Sequence, residues 1–159
     1  MSLRARSLLA LGAVLLLGAL SGCRGNGVGD PCLPEAIPEG GFDPNESQLE
    51  TSSVQCRTRT CLVFQLEGDP EEICDPANPV PDCVAQAQVD ARVFCSCRCS
   101  GAGDLNAPLC NCPNDFVCVE DLIGGGGGGV EGGYCVRCRC EGDGLDPDFP
   151  ECDRCPGSS

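Results

Sequence analysis

The chain has 159 residues, among them 17 cysteines, one tyrosine, no tryptophan and no histidine, and its formal net charge is −14 at pH 7. The absence of histidine excludes Ser-His-Asp and Cys-His catalysis and every histidine-containing zinc site. The acidic charge, without a basic patch, excludes nucleic acid and disfavours anionic lipid head groups, and it leaves a protein, a glycan or a cation as candidate partners.

The first 22 residues have the layout of an export signal peptide. Two arginines precede the leucine-rich segment Ser7–Leu20, whose 14 residues are fewer than the roughly 20 that span a bilayer. The following Leu-Ser-Gly-Cys resembles a bacterial lipobox, which implies that Cys23 becomes the new N-terminus and carries acyl chains such as palmitate. Arg24, where inner-membrane retention would call for Asp, favours the outer membrane. An ordinary secretory signal peptide is the alternative.

Composition divides the rest of the chain into four segments. They are a Gly-rich tether over 23–31, an acidic cysteine-containing subdomain over 32–82, a cysteine-rich β module over 83–137, and an acidic cysteine-rich tail over 138–159.

The N-terminal subdomain is predicted to contain one strand. Residues 32–53 show no periodicity and predict irregular structure, whereas Val54–Leu66 is rich in β-branched and apolar residues and ends at a turn signal. Four prolines make residues 69–82 a predicted loop. Arg57 and Arg59 share a face of the strand and are expected to pair with the chain's own acids, although a carboxylate ligand is the alternative.

The β module is predicted to contain three strands and one short helical turn. Asp82 is placed to cap a turn over 83–88, and strands follow over Arg92–Cys99, Phe116–Ile123 and Tyr134–Cys140. The last two strands form a β-hairpin whose tip contains six consecutive glycines. A featureless loop is the favoured interpretation of that tip.

Cys95, Cys97 and Cys99 lie in the densest cysteine stretch of the chain. In an extended strand all three share a face with Val93 at intervals of about 6.6 Å, whereas a disulfide needs Cβ atoms about 3.5–4.5 Å apart. We therefore expect each of them to have a distant partner. The spacing also argues against one zinc ion held by all three, because sulfurs around zinc lie roughly 4 Å apart.

Sixteen cysteines remain beyond Cys23, and an even number in an exported chain predicts up to eight disulfides. The connectivity is not predictable, because sixteen cysteines allow about two million pairings. The chain is poor in aromatic residues, so we expect it to be unfolded once reduced. The disulfide candidates are Cys32, Cys56, Cys61, Cys74, Cys83, Cys95, Cys97, Cys99, Cys110, Cys112, Cys118, Cys135, Cys138, Cys140, Cys152 and Cys155.

Two pairs of similar stretches predict a partial internal duplication. Residues 94–103 and 134–144 share an aromatic residue followed by Cys, then Cys-Arg-Cys-x-Gly-x-Gly, and residues 108–113 and 150–156 share two cysteines flanked by prolines. The offset between the copies drifts only from 40 to 43 residues. The second copy lacks an equivalent of Cys118.

Four motifs together resemble a known group of proteins. They are Gly-Asp-Pro-Cys at 29–32, Cys-Arg-Thr-Arg-Thr-Cys-Leu-Val at 56–63, Cys-x-Cys-x-Cys at 95–99 and Gly-Tyr-Cys-Val at 133–136. The arrangement resembles the cysteine-rich lipoproteins of myxobacteria over about residues 20–137. The resemblance implies lipidation and a disulfide-built exterior domain, and it implies no activity and no functional residues.

Metal, redox and calcium chemistry are the alternatives that the residues leave open. Four Cys-x-Cys pairs are typical of thiolate metal clusters, but the export signal and the even cysteine count favour disulfides, so we expect no metal and no cofactor. Two Cys-x-x-Cys pairs have thiol-oxidoreductase spacing but lack a βαβ context. The acids of the tail fit no EF-hand loop, and an acidic disordered tail is the favoured interpretation. Those acids are Glu141, Asp143, Asp146, Asp148 and Asp153.

The sequence thus predicts a small, disulfide-rich, mainly β fold with irregular loops, short β-hairpins and little helix. We expect a non-enzymatic lipoprotein on the periplasmic face or cell surface of the outer membrane, acting as a binding or structural module. A thiolate metal-binding protein and a small disulfide-rich protease inhibitor are the alternatives.

Overall fold

The computed structural model describes residues 27–77, 80–81, 83–101, 109–123, 130–153 and 155. The predicted small, disulfide-rich, mainly β fold is confirmed. The predicted signal peptide, Cys23 and the six-glycine tip lie outside the described residues. Within them, no helix has the length and apolar character needed to cross a membrane. The elements in chain order are β1 (Ser47–Thr51), β2 (Thr60–Phe64), β3 (Asp69–Ile73), β4 (Cys83–Val84), α1 (Gln86–Arg92), β5 (Val93–Ser96), β6 (Phe116–Val119) and β7 (Tyr134–Arg137).

Strand β2 is the centre of a three-stranded antiparallel sheet with the order β1-β2-β5. All five of its residues are buried, because apolar clusters cover both faces of the sheet. Cys61 and Val63 belong to one cluster, and Leu62 and Phe64 belong to the other. β-Branched and aromatic side chains suit a strand that is covered on both faces.

Residues 29–31 cover the other edge of β5. The Gly29 N–H donates to the Cys95 carbonyl at 2.8 Å, and the Cys95 N–H donates to the Asp30 carbonyl at 2.7 Å. Gly29 has a φ of +89°, and a Cβ there would come within 2.9 Å of the Phe116 ring, so this close approach requires glycine. The C-terminal part of the predicted tether is therefore folded against the sheet.

The predicted hairpin is present as β6 and β7, which pair antiparallel, although both strands are shorter than predicted. The chain after β5 runs along β7, since the Cys135 N–H donates to the Cys97 carbonyl at 3.0 Å. The rings of Phe94 and Phe116 meet edge to face with centroids 5.4 Å apart, which joins the hairpin to the central sheet.

Two strands lie where the sequence predicted irregular structure or a loop. Strand β1 has the polar sequence Ser-Gln-Leu-Glu-Thr and is only half-buried, as expected of the edge position that it occupies. Strand β3 contains Pro70 and pairs parallel with β4, and the Cys74–Cys83 disulfide closes that pair. Their pairing partners hold both segments extended, and neither segment has the apolar alternation that marks a strand in the sequence.

The predicted bounds of two elements are wrong. The chain turns over the first six residues of the predicted strand Val54–Leu66, where the Arg59 N–H donates to the Cys56 carbonyl at 2.9 Å. The helix begins at Gln86, after β4, and continues to Arg92, where a strand was predicted to begin. The residue before the helix, Ala85, makes no side-chain capping hydrogen bond. The predicted cap, Asp82, lies outside the described residues.

Candidate functional site

All sixteen disulfide candidates are paired, and every one of them lies among the described residues. The pairs are Cys32–Cys61, Cys56–Cys95, Cys74–Cys83, Cys97–Cys110, Cys99–Cys118, Cys112–Cys135, Cys138–Cys152 and Cys140–Cys155. Their Cα–Cα distances of 4.9–6.2 Å lie within the range of ordinary disulfides. The predicted boundary at residue 82 is crossed by the pairing of β2 with β5 and by two disulfides, Cys56–Cys95 and Cys74–Cys83.

The three cysteines of the densest stretch have distant partners, as predicted. Cys95, Cys97 and Cys99 pair with residues that are 39, 13 and 19 positions away. The predicted shared face is wrong beyond the end of β5. Cys95 packs in the cluster with Val93, whereas Cys97 packs in the cluster with Phe94, because the strand ends at Ser96 and the side-chain alternation ends with it.

Cys135 is the point where several disulfides converge. Its Sγ atom is fully buried and lies 3.6 Å from both sulfurs of the Cys97–Cys110 disulfide. It is bonded to Cys112 and lies within 4.8 Å of the Cys99 sulfur. Such distances would suit a soft metal ion if the sulfurs were thiolates, but a disulfide sulfur is not a thiolate ligand. The geometry favours cross-links over the metal-binding alternative.

The disulfides support the predicted duplication. Cys97–Cys110 in the first copy corresponds to Cys138–Cys152 in the second. In each copy the N–H of the later cysteine donates to the carbonyl of the arginine that follows the earlier one, at 2.9 and 3.1 Å. The two copies therefore share a backbone contact as well as a cross-link.

The remaining cysteines of the second copy pair differently for a simple reason. Cys112 in the first copy bridges to Cys135, which opens the second copy. Cys155 is the counterpart of Cys112, but the described chain has no third copy to supply a partner like Cys135. Cys140 is the counterpart of Cys99, whose partner Cys118 has no equivalent in the second copy. Cys140 and Cys155 consequently pair with each other.

A buried arginine fastens the tail to the central sheet. Arg92 is 5% exposed, and its guanidinium donates to the Gln65 carbonyl at 3.1 Å and to the Asp146 carboxylate at 3.2 Å. The same guanidinium lies 4.7 Å from the centroid of the Phe149 ring, which packs on Phe64. These contacts overturn the expectation of a disordered tail for the described residues of this segment.

Three of the five tail acids are engaged within the fold, and the other two, Glu141 and Asp153, are exposed. Asp143 accepts hydrogen bonds from the N–H groups of Cys140 and Leu145, and these bonds lower the pKa of its carboxyl group. Asp146 and Asp148 pair with the buried arginine just described. Among the described residues, no three of these carboxylates lie close enough together to share one ion, so the geometry does not favour the calcium alternative.

A shallow acidic groove of about 590 Å³ lies between residues 40–44 and 67–68. Asp43 is one of its carboxylates, and the N–H and side-chain amide of Asn45 each donate to it at 2.8 Å. These two bonds lower the pKa of Asp43. The groove is suited to a cation, but its carboxylates are exposed and it holds no further feature that selects a ligand.

The loop 52–59 between β1 and β2 is the most unusual exposed segment of the described chain. Its backbone is held in place by the disulfide between Cys56 and Cys95 and by two hydrogen bonds of the Gln55 side-chain amide. The amide oxygen accepts from the Leu33 N–H at 3.1 Å, and the amide nitrogen donates to the Leu33 carbonyl at 2.7 Å. Two of its residues, Ser52 and Arg59, have positive φ, which is strained for side chains other than glycine. The loop is therefore rigid and strained.

Apart from Gln55 and Cys56, several side chains of this loop have no partner in the described part of the chain. Arg57 and Arg59 are exposed and make no ion pair in the described part of the chain, so the expected pairing with the chain's own acids is wrong. The buried hydroxyls of Ser53 and Thr58 have no hydrogen-bond partner there either. Val54 is 74% exposed. The position of the arginines between Cys56 and Cys61 was visible in the sequence, but their isolation from the acids was not.

The other described arginines are built into the fold. Arg92 and Arg139 make ion pairs, Arg137 lies over the rings of Phe94 and Phe116, and Arg98 lies beside Tyr134. Loop 52–59 thus carries the two described arginines that are left to contact something outside the domain. Its turn at 56–59 differs from the extended conformation in which a substrate-like inhibitor loop enters a protease, so the geometry does not favour the inhibitor alternative.

Comparison with known proteins identifies no relative, because no family model, no curated protein and no solved structure matches this chain.

Proposed function

We propose that this protein is an exported envelope lipoprotein, anchored to the outer membrane through Cys23, whose disulfide-built domain serves as a non-catalytic binding or structural module. The observation that carries the proposal is the cysteine count. Sixteen of the 17 cysteines form eight disulfides, and the one outside them is the residue at the end of the lipobox-like tetrapeptide. Cross-links in this number are typical of an oxidising compartment.

The chemistry of the described residues supports a binding or structural role over catalysis. The chain has no histidine, and every cysteine of the described part is in a disulfide. The carboxylates of the acidic groove and the tail accept hydrogen bonds or ion pairs, or lie exposed to water. None of them occupies the apolar pocket that raises the pKa of a catalytic acid.

The experiment compares the natural chain with C23S in a Gram-negative host. We expect the natural chain in the membrane fraction, resistant to a high-salt wash, carrying lipid by mass and beginning at Cys23, and C23S without lipid and with its signal peptide still attached. Arg24→Lys is the matched control, because it alters the neighbouring residue and keeps the acylation site. Lipid still attached to C23S, or a natural chain without lipid, would contradict the proposal.

A further inference from the structure

Loop 52–59 lies at the same end of the central sheet as the first described residues. Thr60, which follows the loop, pairs with Ser96 at the end of β5. On the opposite side of β5, the Gly29 N–H donates to the Cys95 carbonyl at 2.8 Å. Neighbouring strands are about 4.8 Å apart, so the base of the loop and Gly29 are about 10 Å apart.

This end of the sheet is close to Cys23 along the chain. Four Cα–Cα steps separate Cys23 from Gly27, so their Cα atoms are at most about 15 Å apart in any conformation. With a lipid on Cys23, the end of the sheet that carries loop 52–59 is held near the membrane surface. The opposite end, where α1 leads into Val93, is the one that is free to point away. The inference therefore rests on the lipidation proposed above.

The chemistry of the loop suits a surface of lipid phosphates. Arg57 and Arg59 are exposed and unpaired, and a guanidinium binds phosphate through parallel hydrogen bonds. Val54 of the same loop is 74% exposed, and a segment that combines exposed apolar and cationic side chains is typical of a membrane interface. Two acids at this end, Asp30 and Glu50, accept hydrogen bonds from the backbone N–H groups of Gly27 and Glu35.

We propose that loop 52–59 faces the membrane, where Arg57 and Arg59 bind lipid phosphates and Val54 enters the head-group region. Anionic lipids were disfavoured as partners because the chain as a whole is strongly acidic. A domain that is anchored by its lipid, however, does not need electrostatic attraction to reach the membrane. The arginines need only determine which side of the domain faces the lipid. Arg57 and Arg59, the two described arginines that are exposed and make no ion pair, then turn towards the membrane. The acidic remainder of the domain turns away from it.

The size of the effect explains why the tether is needed. One arginine near an anionic surface favours contact about fivefold, so two favour it about thirtyfold. That factor is too small to hold a free protein on a membrane, but it is enough to orient a tethered one. Because the loop is fixed by a disulfide and by the Gln55 side chain, little ordering is required on contact.

The chain contains no tryptophan, so a single introduced tryptophan reports its own surroundings. V54W and the control I73W would be prepared as mature lipidated proteins in vesicles of phosphatidylethanolamine and phosphatidylglycerol that contain brominated lipid. Ile73 is exposed and lies in β3, which follows the opposite end of β2. We expect the bromine to quench V54W strongly and I73W little.

The arginines are tested in the V54W background. The double substitution R57Q/R59Q should lower the ratio of contacting to non-contacting orientations about thirtyfold and abolish most of the quenching, and added salt should weaken it as well. Equal quenching of V54W and I73W, or quenching that R57Q/R59Q leaves unchanged, would overturn the proposal. Shielding of V54W from aqueous acrylamide only when outer-membrane proteins are added would assign the loop to a protein partner instead, and would also overturn it.

Intact mass, measured on the same samples, separates the two proposals. A chain without lipid refutes the proposed anchoring. A lipidated chain in which V54W is not quenched refutes only the orientation.

Discussion

Replacing Arg92 by methionine should release the tail from the sheet. The buried guanidinium donates to the carbonyls of Phe64 and Gln65, pairs with Asp146 and lies over Phe149. A hydrogen bond from a charged donor contributes about 1.5–3 kcal/mol, and the contact with the aromatic ring adds about 1 kcal/mol. The ion pair adds less than about 1 kcal/mol, because the Asp146 side chain is 46% exposed.

These contributions are partly offset, because methionine removes the desolvation penalty of the buried charge and keeps an apolar side chain in place. We therefore expect R92M to weaken the attachment of the tail by about 2–4 kcal/mol. The tail keeps its two disulfides, Cys138–Cys152 and Cys140–Cys155, so it should open locally while the central sheet stays folded.

Hydrogen exchange measures this opening directly. The Phe149 N–H, which donates to the Asp146 carbonyl at 3.1 Å, should exchange about 30- to 1000-fold faster in R92M, whereas the amides of β2 should not change. D146N removes only the half-exposed ion pair and should accelerate exchange less than about fivefold. If R92M and D146N have equal effects, or if β2 opens together with the tail, the assigned role of the buried guanidinium is wrong.

Three further changes have defined outcomes. Tyr134 is the single tyrosine, and burial raises its pKa above 10.0. The pKa measured from its ultraviolet absorbance should therefore fall towards 10.0 when the chain is reduced and unfolded. G41A should destabilise the fold by more than about 1 kcal/mol in a denaturant titration, because its Cβ would lie 2.2 Å from the Gly68 carbonyl carbon. Gly40 has a similar φ but open space around it, so G40A should be milder, and equal losses would contradict the steric argument. Hydrogen bonds from backbone N–H groups lower the pKa of Asp143 from 3.8 in the fold, so its ionised carboxylate stabilises the fold above pH 3.8, and this contribution is lost as the pH falls through the folded pKa. D143N should reduce the loss of stability at acid pH, and an unchanged pH dependence would argue against these hydrogen bonds.

The apolar strands could be predicted from the sequence, and the polar ones could not. Strands β5, β6 and β7 lie within predicted strands, because aromatic and β-branched residues surround the cysteines there. Strand β1 is polar because it forms an edge, and β3 contains a proline, so neither shows the alternation that marks a strand. Each is held extended by pairing with the next strand along the chain, β1 with β2 and β3 with β4.

The disulfides show the same limit. Geometry alone predicted that Cys95, Cys97 and Cys99 need distant partners, because their spacing along a strand is too great for bridges among themselves. The identity of the partners depends on where the strand ends and how the hairpin folds back, which the sequence does not reveal. The isolation of Arg57 and Arg59 is likewise a tertiary property, since acids are plentiful nearby in the sequence.

The intact mass of the mature protein, purified from membranes, tests the central claim most directly. The account predicts a mass about 16 Da below that of the fully reduced, lipidated chain, with no reaction with an alkylating reagent before reduction. This result would establish eight disulfides and the lipid on Cys23 in one spectrum. Free thiols that alkylate without reduction, metal carried in the native mass, or an unlipidated N-terminus would contradict the account.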